Sequence, residues 1–531
     1  MAATAATSIK QKELFGHPIG LYILFLTEMW ERFSFYGMKA LLILYLVKYH
    51  LFTDTAGNLL VGSYAALVYA MPVIGGLLAD KYLGFRKAVT FGGILLVLGH
   101  IGMAYEGEAA KEMSEGVIVR DEGALQVFYF SLALIIMGVG FLKANISSIV
   151  GELYRKGDPR RDSGFTIFYM GINLGSALAT LVCAWLGENY GWNYGFGAAG
   201  IGMVLGLITF VSGKKYFYGK GESKDPVLLA KKSPLGLSNE WTIYILAILG
   251  IFVVWQMVQR HSVVEVLLMV AGAGSLIYIL WYALKKCSKV QRERLFALTI
   301  LILFSVIFWS LFEQAYTSLN LYADRILDRT TEMFGEIPAG AFLSLNAIFI
   351  ILFAPVFAWL WIQLEKKNLN PNAAVKFALG IILVGLGFGA LVLGADVSGT
   401  GKVAIIWLVL AYLLHTWGEL CLSPVGLSYV TKLSPGKIVG FMMGVWFLAT
   451  AGSEYIASLL ANIASIDTTG GVATDLAGAK ASYTNLFEKL LYTGVIFGVL
   501  LLIISPLVKK MMHNVDTDES GEDEILMEEK H

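Results

Sequence analysis

Apolar runs of about 20 residues, enough to cross a hydrocarbon layer at about 1.5 Å per residue, recur along the whole chain. Six fall near 19–48, 57–83, 87–105, 124–152, 164–187 and 193–212. A polar, lysine-rich stretch at 213–239 follows, then two more runs at 240–258 and 263–284 and a basic segment at 285–294. The last six lie near 295–322, 340–364, 373–394, 403–431, 438–464 and 485–509. The pattern predicts an all-α polytopic membrane protein with fourteen spans ordered six, two, six. Its parts are a bundle over 19–212, a linker over 213–239, two extra transmembrane helices within 240–284, a short linker over 285–294 and a second bundle over 295–509. Residues 1–18 and 510–531 are left as polar ends.

Charge along the loops sets a direction. Lys81, Arg86, Lys87, Arg155, Lys156, Arg160, Arg161 and the lysines of 214–232 lie on one side. So do Lys285, Lys286, Lys289, Arg292, Arg294, Lys366, Lys367, Lys432, Lys437, Lys509 and Lys510. The opposite loops are poor in bases, and the 105–123 loop is acidic. By the positive-inside rule both termini are expected in the cytoplasm, with the chain in the cell (inner) membrane. The acidic tail ESGEDEILMEEK reads as a solvated segment.

Composition agrees with that class. The chain has 531 residues, 57% hydrophobic and 15% charged, with zero formal net charge, and its mean hydropathy is +0.67. An ordinary soluble domain carries about a quarter charged residues. Cys183, Cys287 and Cys421 are far apart in or beside apolar runs, which argues against a disulfide framework or a CxxC-type metal site. The first residues, MAATAATSIKQKELFGHP, lack an apolar core, so no cleavable signal is expected. Glycine is abundant at 57 residues, as close helix packing requires. Pro72, Pro355 and Pro424 fall inside spans, where kinks that serve gating and kinks without function both fit.

The segment GGLLADKYLGFRKAV resembles the loop between helices two and three of the major facilitator superfamily, one residue longer before Gly84. Gly76 would permit close packing there, and Asp80 could pair with bases or a helix N-terminus. No repeat of 20–50 residues is visible.

The first span contains TEMWERFSFYGMKA, which places Glu28, Glu31, Arg32 and Lys39 where a bilayer penalises each charge by at least ~2.5–3.5 kcal/mol. At 100° per residue Glu28, Arg32 and Lys39 fall within about 40° of one another, and Glu31 lies about 60° to the other side. They form one neutral polar stripe that also carries Phe35 and Tyr36. Snorkelling does not account for short carboxylates about three turns inside a span. A structural ion cluster and a transport pathway remain, and intramembrane charge points to the pathway. Lys143 in GVGFLKANISSIV, Glu313 in FWSLFEQAYTSL and Glu419 in LHTWGELCLSPVGLS are further isolated charges in spans. A static buried pair is seldom worth its desolvation, so several retained charges suggest pairs that open and close. Asn173, Asn346 and Ser423 join them, as helix–helix glue or as ligand contacts.

TEMWERFSFYGMKA resembles the E-x-x-E-R-F-x-Y-Y-G motif of the proton-dependent oligopeptide transporter (POT) family. FLKANISSIVGELY, FYMGINLGS, SLNAIFIILFAPVFAWLW, GELCLSPVGLS and FMMGVWFLATAG are similar to its later helices in the same order, from about Phe15 to Pro506. The extra helix pair is similar to bacterial members, and the short 395–402 loop has no room for the large extracellular domain of mammalian ones. The resemblance implies a major facilitator fold and a proton-coupled symporter that imports di- and tripeptides by alternating access. It implies no catalytic residue, no metal and no cofactor beyond the coupling proton. The partners implied are peptides, protons and the lipid bilayer, with no nucleic acid, and the chain is expected to be monomeric. The alternative is the same fold carrying another small solute, such as nitrate or a drug-like compound. A membrane enzyme is disfavoured because no metal-ligand cluster or nucleophile–base arrangement accompanies these residues. Paired charges on both halves disfavour a channel.

Residue by residue, the resemblance makes Glu28 and Glu31 proton-coupling carboxylates, with Arg32, Lys143 and Glu419 in the same chain of charges. Arg32 and Lys143 would meet the peptide carboxylate, and Asn173, Asn346 and Glu419 its amino group. Tyr36, Tyr69, Tyr169, Trp309, Trp446 and Ser423 would line the pocket, although each alone also fits an ordinary aromatic or polar packing role. Lys39–Glu313 would gate the outside and Lys143–Glu419 the inside. Phe35 replaces the motif's first tyrosine, and Lys39 stands where many members have arginine. Gly62 replaces a histidine important in animal members, so carboxylates must handle the proton. His50 and His100 read as interfacial or packed. Burial raises a carboxyl pKa while an adjacent arginine lowers it, so carboxylates beside Arg32 would be poised between the two forms.

Overall fold

The computed structural model describes residues 11–113, 117–155, 158–332, 335–469 and 472–513. The acidic tail beyond 513, Lys156 and the first ten residues lie outside them. The chain is all-α, and strands among the described residues are two-residue pairs, most closing loops, such as Lys111–Glu112 with Ile118–Val119, while Leu327–Asp328 pairs in parallel with Val403–Ala404. The first six long helices are α1 Ile19–Lys48, α2 Asp54–Leu78, α3 Phe85–Met103, α4 Glu122–Leu153, α5 Arg161–Tyr190 and α6 Trp192–Ser212. The additional pair is α7 Asn239–Val258 and α8 His261–Lys286. Then come α9 Lys289–Phe312, α10 Ser344–Lys366, α11 Ala373–Val397, α12 Ile405–Leu433, α13 Val439–Ala461 and α14 Leu476–Met511. Among the described residues thirteen helices are long and apolar enough to cross a membrane. The remaining long one is α1, whose 30 residues carry the charged stripe.

Two elements differ from the hydrophobic pattern. The run at 295–322 is not one helix. It ends at Phe312, passes through a 3-10 turn over Glu313–Tyr316, breaks at Thr317 (φ −126°, ψ −96°) and resumes as Ser318–Arg325. At the other end α14 starts at Leu476, well before the first apolar turn, because Asp475 caps it by accepting from the Ala477 N–H at 3.0 Å. Its early polar turns are helical all the same, and Lys480 caps the end of α11 by donating to the Ser398 hydroxyl and to the carbonyls of Gly399 and Gly401.

The chain divides into two compact units. The first is Met1–Lys39, Met71–Gly107 and Glu122–Gln256, and the second is Ala40–Ala70, Glu108–Asp121 and Met257–His531. In the first, α3 and α4 meet backbone to backbone: a Cβ on Gly138 would lie 2.8 Å from the Gly92 carbonyl oxygen. The linker is strapped onto this unit. Arg86 binds both oxygens of Glu222 at 2.6 and 3.1 Å, the Ser223 hydroxyl donates to the Tyr82 carbonyl at 2.6 Å, and Lys224 pairs with Asp80. Gly84 (φ +77°) makes the turn between them, since a Cβ there would lie 2.5 Å from the Glu222 carbonyl carbon. Asp80 thus meets a base, as its motif suggested, and that base belongs to the linker.

In the second unit α11 and α14 are equally close, with a Cβ on Gly494 falling 2.6 Å from the α-carbon of Gly385. The last turns of α1 and the first turns of α2 pack here against 318–325 and 458–466. The start of α8 is held by a hydrogen bond between His261 Nδ1 and the Ser63 hydroxyl at 3.1 Å. The Tyr455 hydroxyl, donating to Glu265 at 3.3 Å, gives a second hold.

Candidate functional site

In the first unit the charged stripe of α1 folds onto itself. Arg32 Nε lies 2.9 Å from Glu28 Oε1 and 2.6 Å from Glu31 Oε2, and the three residues are 0–3% exposed. Spacing of three and four residues brings them to one face. Phe35, one turn on, is also buried. Two cations lie over its ring: the Arg32 guanidinium carbon is 5.6 Å from the ring centroid and Lys143 Nζ of α4 is 5.9 Å from it. The ring that lacks the motif's hydroxyl therefore offers its π face to both cations. Glu31 Oε1 and Glu28 Oε2 have no hydrogen-bond partner among the described residues. α5 reaches the cluster because Gly175 leaves space, a Cβ there lying 3.1 Å from the Arg32 Cβ. Asn173, two residues earlier, is buried and donates to the Tyr169 carbonyl at 3.1 Å. Lys39 is buried, Tyr36 and Lys143 are partly exposed, and Tyr169 is exposed.

In the second unit Asn346 of α10 donates to Glu419 Oε2 at 2.9 Å and to the Thr416 hydroxyl at 3.1 Å. The Thr416 hydroxyl in turn donates to the Tyr412 carbonyl at 2.7 Å, so its oxygen is free to accept. Thr416 lay unnoticed in LHTWGELCL because a threonine in a membrane helix gives no signal of its own. Glu313 is buried at the break after α9, and Trp309 packs edge-on against Phe312 with centroids 5.4 Å apart. Trp446 covers Gly426, where a Cβ would lie 2.8 Å from its Cζ2. Trp309, Tyr69, Trp446, Asn346 and Glu419 are partly exposed. Ser423 lies outside the described side chains, as does Pro424. Lys39 and Lys143 belong to one unit and Glu313 and Glu419 to the other, so neither expected gate pair lies within a unit.

The second unit contains a polar latch that sequence reading missed. Arg325, at the end of the resumed helix, binds Asp54 at the start of α2 through two bonds of 2.7 and 2.8 Å, with both side chains 2% exposed. Asp54 also accepts from the Ile466 N–H at 3.1 Å, and Arg325 donates to the Tyr483 hydroxyl at 3.2 Å. Around it Lys48 pairs with Asp324 at 2.9 Å, and Asn58 donates to Asn462 at 3.1 Å. Gly62 allows this approach, since a Cβ there would fall 2.5 Å from the Ser458 Cβ. Asp54 and Arg325 sit at the ends of apolar runs, where a charge looks like an ordinary solvated end. Their pairing could not be read from spacing.

The two histidines expected to be interfacial or packed are packed. His50 lies in the turn after α1, against Tyr45 (4.7 Å between centroids), Tyr49 and Phe52. Arg120 donates to its carbonyl at 2.7 Å. Burial, and next the Arg120 charge, push its pKa down to about 4, with Asp121 opposing weakly. No group of three metal-binding side chains occurs among the described residues.

The POT family profile matches residues 86–475 of this chain. The chain is 39% identical to the uncharacterized transporter YclF of Bacillus subtilis, over 96% of its length and 98% of the relative's. It is 34% identical to a di-/tripeptide transporter of Lactococcus lactis subsp. lactis, over 95% and 98%. Among solved structures it resembles a peptide transporter POT in complex with sulfate, with a TM-score of 0.78 and 36% identity over 95% of this chain and 98% of that one.

Proposed function

The chain belongs to the POT family, a transporter family, and from that premise we propose that it is a proton-coupled symporter importing di- and tripeptides by alternating access. The observation that carries the reading is the buried Glu28–Arg32–Glu31 cluster, with Lys143 across the Phe35 ring. Two carboxylates share one guanidinium in a dry setting, and each keeps an oxygen without a hydrogen bond. Such a site can hold one proton more or less at small cost, because the arginine neutralises whichever carboxylate is ionised.

A zwitterionic peptide needs opposite charges at its two ends. Arg32 and Lys143 supply the positive pole, while Asn173, Asn346 and Glu419 supply acceptors and a negative charge for the amino group. The side chains of substrates vary, and partly exposed aromatic residues such as Tyr36, Tyr69, Trp309 and Trp446 suit a pocket that must tolerate them. Tyr169 and Ser423 complete the proposed lining. Closure of the side opposite the basic loops is assigned to the Asp54–Arg325 latch together with Lys39–Glu313. Lys143–Glu419 closes the basic side in the alternate state.

The protein is a multi-pass membrane protein. We place it in the cell (inner) membrane, its basic loops and both termini in the cytoplasm, acting as a monomer without nucleic acid, metal, cofactor or enzymatic activity of its own. Uptake of a labelled dipeptide by the reconstituted protein, with unlabelled dialanine, nitrate or a drug-like solute as competitor, tests the substrate. Dialanine should abolish labelled uptake and nitrate should leave it unchanged. Inhibition by nitrate with indifference to dialanine contradicts the assignment.

A further inference from the structure

At the basic end of the first unit, the last turns of α4, the first turn of α5 and the linker turn at 219–222 border an open cavity of about 860 Å³. Three cations line it, one from each wall: Arg155 after α4, Arg161 at the start of α5 and Lys220 of the linker. Among the described residues none of the three makes an ion pair within 4.0 Å. The neighbouring Arg160 shows the contrast, binding Asp158 and Glu13 at 2.9 Å each. The two carboxylates in the lining are already engaged. Glu152 accepts from the Gly221 N–H at 2.7 Å, and Glu222 is held by both nitrogens of Arg86. Arg161 is exposed, and it lies against Phe165 of its own helix and Gly151 of α4. Its guanidinium carbon lies 5.7 Å from the Phe165 ring centroid, and its Nη2 is 3.3 Å from where a Cβ on Gly151 would sit.

We infer that this cavity binds a phosphate group, with the headgroup of an anionic phospholipid as its occupant. Cations on three separate elements, with their nearby carboxylates turned elsewhere, leave a concentrated positive field that a phosphate diester satisfies. The walls lie at the ends of membrane-crossing helices on the lysine- and arginine-rich side, the depth at which headgroup phosphates reside, and basic pockets of this kind between spans take anionic lipids. Phe165 and Tyr154 give the lining an apolar part for the glycerol and upper chain. Because Lys220 belongs to the strap that also carries Glu222 and Ser223, an occupant would join the linker to α4 and α5.

The test uses the full-length protein in detergent, titrated with dihexanoyl phosphatidylglycerol, dihexanoyl phosphatidylcholine or sodium phosphate while its thermal midpoint is followed. Phosphatidylglycerol should raise the midpoint and the choline lipid should not. Arg161→Gln with Lys220→Gln should weaken the apparent affinity at least tenfold, whereas Lys231→Gln with Lys232→Gln, the same charge change elsewhere on the linker, should leave it unaltered. Should the first pair fail to fold, Arg155→Gln, which changes one exposed side chain where the pair changes two, serves in its place. Stabilisation by sodium phosphate at equal phosphate concentration upholds the site and assigns it to a soluble phosphate. Equal stabilisation by the choline lipid, equal weakening in the control pair, or no stabilisation by any of the three overturns the inference.

Discussion

Arg32 stands between two carboxylates, 2.9 Å from Glu28 and 2.6 Å from Glu31, with its guanidinium against the Phe35 ring. Removing one member of such a buried set leaves the others uncompensated, at about 3–5 kcal/mol. Replacing one carboxylate by its amide keeps the volume and removes its charge and its titration, while the other carboxylate still pairs with Arg32. Glu31→Gln and Glu28→Gln should therefore each abolish pH-driven peptide accumulation while exchange of peptide across the membrane persists. Proton-driven accumulation in both variants would remove these residues from the coupling role. His50 yields a separate expectation. Its pKa is lowered from the usual 6.5 to about 4, so the unfolded chain binds a proton that the native turn refuses. Stability from this group is complete above pH 6.5 and falls as pH drops toward 4, by about 3 kcal/mol at pH 4. His50→Gln should flatten that limb of the pH–stability curve, and an unchanged limb contradicts the assignment. The α1 charges were legible in the sequence because each violates the cost of crossing hydrocarbon. Thr416 and the Phe35 π contacts were not, since neither type is out of place in a membrane helix.

The broken helix after α9 carries the proposed gate carboxylate and the latch arginine on either side of its irregular turn. Glu313 opens the 3-10 turn, and Arg325 closes the resumed helix on Asp54. An interrupted helix at such a place would suit a hinge, because a few residues absorb the change in direction. The hydrophobic run at 295–322 concealed it: apolar periodicity reports burial and not whether every backbone bond is helical. Arg325→Asp should impair transport strongly, and Asp54→Arg with Arg325→Asp should recover part of it. Recovery stays partial because the Ile466 N–H loses its acceptor. A double variant no better than the single one contradicts a latch. The Gly62 contact makes a second element-scale test. Gly62→Ala forces a methyl into the Ser458 side chain, an overpacking worth about 1–3 kcal/mol against the closed arrangement. Ser458→Gly in the same chain should restore transport, and no restoration would mean the contact does not limit closure.

At the scale of the whole molecule, the fourteen long helices and their six–two–six order follow from hydropathy. Less legible was the way the end of α1 and most of α2, Ala40–Ala70, group with the later part of the chain. That grouping rests on the latch and on Gly62, which join residues hundreds of positions apart. Exchanging Lys39 and Glu313 should likewise partly rescue either single neutralisation if they form a gate, and a swap no better than the singles would remove that pair. The central claim is that buried carboxylates couple proton entry to peptide entry. It is tested most directly by dipeptide accumulation in liposomes holding the purified protein under an imposed inward proton gradient, with and without a protonophore. The account predicts accumulation above the external concentration that collapses when the ionophore dissipates the gradient. Uptake that merely equilibrates, with or without the gradient, would contradict it.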